Sequence, residues 1–95
     1  MIVIEFGDYA VPLAANEWRR LEELAGGSAP FAGRRECTAR SLTSVALDDR
    51  RVVPLALALE AERARCGLSP GLLSLCKDLF DYADLVAARR LATTA

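Results

Sequence analysis

Ile2, Ile4 and Phe6 alternate with Val3 and Glu5, a period of two that predicts extended chain over residues 2 to 13. Gly7-Asp8 gives a turn signal before Tyr9-Ala10-Val11, and Pro12, with no N–H for a ladder, ends the stretch. A short hairpin and an extended arm fit this pattern equally. The period then lengthens. Trp18, Leu21, Leu24 and Ala25 fall on one face of a helix that Asn16 can cap, with Glu17 in its first turn and Gly26-Gly27 as its stop. Residues 28 to 40 read as loop, with Pro30, Gly33 and several Arg. Apolar positions 42, 45 and 46 then fit a single helical turn within Ser41-Leu42-Thr43-Ser44-Val45-Ala46-Leu47.

Residues 48 to 65 carry the second strong helical pattern. Asp48 or Asp49 can cap it and suits its positive dipole end. Val52, Leu55, Ala56 and Leu59 make the apolar stripe, while Glu60, Glu62, Arg63 and Arg65 are assigned to the wetter side. Pro54 implies that the regular helix starts near it or bends there. Cys66-Gly67 ends this helix, and Ser69-Pro70 opens a short one bearing Leu72, Leu73, Leu75 and Cys76. Asp78 can cap a last helix with Leu79, Tyr82, Ala83 and Val86 on one face and Arg89 and Arg90 at its carboxyl end, after which residues 91 to 95 fray.

Composition narrows the function classes. Ninety-five residues, 53% hydrophobic and 26% charged, suit one globular domain. Twelve basic residues, eleven of them Arg, balance thirteen acidic ones to a net charge of -1, which argues against a nucleic-acid binder. No apolar run approaches the length needed to span a bilayer, and the amino end lacks a signal-peptide pattern, so the expected compartment is the cytoplasm. Cys37, Cys66 and Cys76 form no C-x-x-C pair and are expected as small buried or half-buried thiols rather than a disulfide or metal set. The chain has no His, which removes the commonest general base and metal ligand. No enzyme, cofactor or metal is expected. Trp18 is expected as a core anchor.

From Ser41 through Asp48-Asp49-Arg50, then Val53, Leu55, Ala58, Leu59 and Glu60, the chain resembles the phosphopantetheine-attachment region of acyl and peptidyl carrier proteins. Leu68-Ser69-Pro70 is similar to the start of their short third helix, and residues 78 to 86 to their final helix. The resemblance covers residues 12 to 90 and implies a mainly α fold: a four-helix bundle of three longer helices and one short. Residues 1 to 11 would be an extended or hairpin arm outside it, and 91 to 95 a frayed tail. The position corresponding to the attachment serine is Asp49, a carboxylate that cannot form the phosphodiester. Its charge could imitate the phosphate, or it could simply cap a helix. Arg50 replaces an apolar residue and Pro54 an acidic one, so ordinary carrier partners would be met with altered complementarity.

The resemblance thus implies a non-loadable, carrier-like docking or regulatory protein in fatty acid, polyketide or nonribosomal peptide biosynthesis. Asp48, Asp49, Arg50, Arg51 and Val53 would meet a protein partner, with neither nucleic acid nor membrane involved. Two alternatives stand beside it. One is a working carrier in which Asp49 has replaced the attachment serine. The other is an unrelated small α+β interaction module, of the immunity or antitoxin kind, which strand content well beyond residues 1 to 11 would favour.

Overall fold

The alternation at the amino end forms a hairpin. Strand β1 (Ile2–Phe6) pairs antiparallel with β2 (Tyr9–Leu13), and Gly7 makes the turn at φ 55°. A side chain there would be strained, and a Cβ would collide with the Tyr82 ring at Cε1, so the turn requires glycine twice over. Pro12 is part of β2, opposite Val3, on an edge strand where its missing N–H costs no ladder bond.

The computed structural model describes residues 1–26, 31–37 and 42–94. After β2 come α1 (Ala15–Ala25), β3 (Phe31–Cys37), β4 (Leu42–Leu47), α2 (Asp49–Cys66) and α3 (Pro70–Thr94). The four strands form one mixed sheet in the order β2-β1-β4-β3. Strand β4 runs parallel to β1, with Ile2 opposite Thr43 and Ile4 opposite Val45, and β3 pairs antiparallel with β4 across an irregularity between Ala32 and Arg35.

This overturns the four-helix bundle. The described residues form a small α+β fold with three helices. The segment expected as loop contains β3, and the segment expected as a helical turn is β4. The physical reason lies in Val45 and Leu47. Both are buried, two residues apart, with Ala46 exposed between them, so the strand period governs. The short third helix and the final helix are also one, α3, whose backbone runs without interruption past Asp78 to Thr94. Gly27, residues 28 to 30, residues 38 to 40, Ser41 and Ala95, to which the sequence reading assigned a stop, loop, carrier-frame and frayed-tail roles, lie outside the described residues.

One sheet face and the three helices enclose the core. Ile4, Phe6, Val11, Leu13, Val45 and Leu47 meet Leu21 of α1, Val52, Leu55 and Leu59 of α2, and Leu72, Leu75 and Leu79 of α3. Trp18 packs against this cluster as expected of an anchor. Each fully buried aliphatic side chain here contributes about 1.5–3 kcal/mol. The caps differ from the sequence reading at α1, which begins after Ala14 rather than Asn16 because Glu17 Oε1 accepts the Ala14 N–H at 3.0 Å. At α2, Asp48 is the cap, accepting the Arg50 N–H at 3.0 Å, and the helix begins before Pro54, at Asp49, and includes it. No described helix is long and apolar enough to cross a membrane.

Candidate functional site

The residues singled out in sequence cluster around the first turn of α2, where α2 meets the second half of α3. Asp48 caps the helix and holds its carboxyl below the ordinary value, through the Arg50 N–H first and the Arg50 side chain after it. Asp49 is exposed, yet it is fixed: its Oδ1 accepts the Tyr82 hydroxyl of α3 at 2.8 Å. That bond and burial push the Tyr82 phenol up from its ordinary value. Arg50 and Arg51 are exposed, and Asp48, 3.5 Å away, pairs with the Arg50 guanidinium. Val53 is 51% exposed.

Asp49, Arg50, Val52 and Val53 of α2 and Ala83, Val86 and Ala87 of α3 line an open groove of about 640 Å³. The structure therefore brings Asp49, Arg50 and Val53 onto one surface feature. Asp48 and Arg51 lie beside it rather than in it. Tyr82 sets the geometry of this end, because its ring packs against the stacked pair of Phe6 and Tyr9 at centroid separations of 5.6 and 6.1 Å while its hydroxyl reaches Asp49. Sequence reading placed Tyr82 on a buried face but assigned it no partner.

A longer apolar feature continues from this groove. Val53 and Leu57, one turn apart on α2, are 51% and 57% exposed. On α3, Leu73 and Phe80 are 42% and 36% exposed. Positions 73, 80 and 87 recur every seven residues and so drift by only about 20° per repeat around a straight helix. Ala87 lines the groove, which sets Phe80 and Leu73 on the same stripe, running back along the α2 side of α3. Among the described residues, four of the six large exposed hydrophobic side chains thus flank one seam. Compared with protein families, curated proteins and solved structures, the chain matches none.

A second polar cluster lies at the other end of α2. Glu62 is 3% exposed, and Arg20 of α1 and Arg65 both ion-pair with it. The Cys66 thiol donates to Glu62 Oε1 at 3.0 Å. The sequence reading assigned Glu62 to the wetter side, and this is corrected: positions 52, 55, 59 and 62 form one stripe, so Glu62 enters the core with cations brought to it. Of the cysteines, Cys76 is buried, and burial pushes its thiol up, whereas Cys66 is exposed. The Cys37 side chain lies outside the described residues.

Proposed function

We propose that this chain is a small protein-interaction module, not an enzyme, and that it docks a partner protein on the α2/α3 face. The observation that carries this reading is the apolar seam of Val53, Leu57, Leu73 and Phe80 beside the groove. A folded domain that can bury its hydrophobic side chains rarely leaves four aligned ones in water unless a partner covers them. A seam between two helices suits a third helix laid along it, with anchors spaced by three, four and seven residues.

The sheet built from β3 and β4 supports the α+β interaction module among the readings open from sequence. Carrier-type docking rested on Asp49 opening the second helix of a bundle. In the present fold Asp49 is held by Tyr82 behind a strand instead, so that correspondence no longer supports it. Four of the carboxylates also have structural employment: Glu17 and Asp48 at helix starts, Glu60 with Arg63, and Glu62 with Arg20.

Site-specific photo-cross-linking tests the reading. A photoreactive residue at Leu57 or Phe80 should give protein adducts in the cells that make the chain, whereas one at Glu5, exposed on the opposite sheet face, should not. Absence of adducts from both seam positions would overturn the proposal.

A further inference from the structure

The outer stripe of α3 carries two charges among its apolar positions: Lys77, the only lysine of the chain, and Asp84. Both are exposed, and neither has an ionic partner among the described residues. In chain order the stripe reads Leu73, Lys77, Phe80, Asp84, Ala87, centred on Phe80. Lys77 lies three residues before the centre, about 4.5 Å along the axis, and Asp84 four residues after it, about 6 Å. Leu73 and Ala87 stand seven residues to either side, about 10.5 Å each way.

Such a stripe complements itself when reversed. Two α3 helices laid antiparallel about a two-fold axis at Phe80 bring Lys77 of each copy to within about 1.5 Å, along the axis, of the level of Asp84 of the other. Leu73 of each copy then falls level with Ala87 of the other, a large side chain against a small one. Leu73 would thereby enter the groove that Val53, Ala83, Val86 and Ala87 line. A parallel pairing would set Lys77 against Lys77 and Asp84 against Asp84, which is repulsive. A two-fold interface requires one patch to complement itself, and the antiparallel register meets that requirement in charge and in size together.

Building on the docking role of this face, we infer that its occupant is a second copy of the chain, seated by antiparallel pairing of the two α3 helices in the α2/α3 seams. Two Lys77–Asp84 pairs cross the interface and fix its register, and Phe80 of each copy lies at the centre.

Sedimentation equilibrium of the full chain from micromolar to sub-millimolar concentration tests this. The wild-type chain should form a dimer. Lys77→Asp and Asp84→Lys should each raise the dimer dissociation constant by about tenfold or more, because each turns two attractive contacts repulsive. The double swap K77D/D84K should restore dimerisation. Circular dichroism reports that these surface variants stay folded. A wild-type chain that is monomeric throughout, a dimer indifferent to the single reversals, or a double swap without rescue overturns the second-copy assignment. A monomer whose Leu57 and Phe80 positions still cross-link to another protein overturns this assignment alone. A monomer without adducts overturns the docking role as well.

Discussion

Glu17 of α1 closes the first turn of α3 by accepting the Gly71 N–H at 3.0 Å on Oε2. The same oxygen accepts the Ser69 hydroxyl, and the other accepts the Ala14 N–H. One carboxylate therefore satisfies donors at the amino ends of two helices, reaching Gly71 from 54 residues away in sequence. The Ser69 bond first, with the Ala14 bond next, holds the Glu17 carboxyl below its ordinary value of 4.5. Stability from this group is full above that value and is lost as pH falls through the lowered one. Urea unfolding of the wild-type chain should show this acid decline. Glu17→Gln should flatten it and cost about 1 kcal/mol at neutral pH.

Gly71 leaves room for that carboxylate. A Cβ at position 71 would lie 2.5 Å from both Glu17 oxygens. Gly71→Ala should destabilise by about 1–3 kcal/mol despite alanine's better helix propensity. Combined with Glu17→Ala, whose truncation removes the clashing atoms, its cost should largely vanish. A double-mutant cycle in urea checks this, and additive losses would show that the two residues act separately.

Tyr82 ties α3 to the start of α2. Tyr82→Phe keeps the aromatic packing and removes the bond to Asp49, so it should cost about 1 kcal/mol. The folded-state phenol is raised, and stability it supplies is complete below a tyrosine's ordinary value of 10.0 and lost as pH rises through the raised one. Absorbance titration should find one tyrosine ionising late, and Asp49→Asn should bring it earlier.

The buried Glu62 predicts an asymmetry. Its partners Arg20 and Arg65 have side chains 41% and 70% exposed, whereas its own is 2% exposed. Glu62→Leu leaves cations that water can still solvate. Arg20→Met leaves a buried carboxylate short of one partner and should cost more, by about 1–2 kcal/mol. Denaturant midpoints of the two variants decide it.

The helical parts of this fold were legible because their signals are local. Trp18, Leu21 and Leu24 mark α1, Asp48 caps α2, and Gly67 at φ 85° stops it. The sheet was only half legible. Residues 2 to 6 alternate cleanly, but β4 carries small residues on its exposed side, and Leu42, Val45 and Ala46 also satisfy a helical period. Strand β3 holds Gly33 and adjacent Arg residues that read as loop, and only its pairing to β4 makes it a strand. The four-helix bundle implied by the resemblance failed for the same reason: amphipathic helices in sequence order do not reveal a strand between them. At the site, the charged start of α2 was visible, whereas the Asp49–Tyr82 bond spans 33 residues and has no local signal. The Leu73, Phe80, Ala87 stripe was readable as a seven-residue period, but it was obscured by dividing α3 in two.

The parallel pairing of β1 with β4 sets the order in which this chain can acquire its structure. Ile2 meets Thr43 and Ile4 meets Val45, so β1 has no neighbour on that side until some forty residues later. The hairpin of β1 and β2 can form early, but a two-stranded ribbon alone is marginal. Its lasting stability waits for β4 and for the helices that follow. A growing chain therefore carries Ile2, Ile4 and Phe6 uncovered through much of its synthesis, and folding should run slower than for helical bundles of this size. Stopped-flow refolding would reveal that delay, and arrested nascent chains should gain protease resistance only once α3 has emerged.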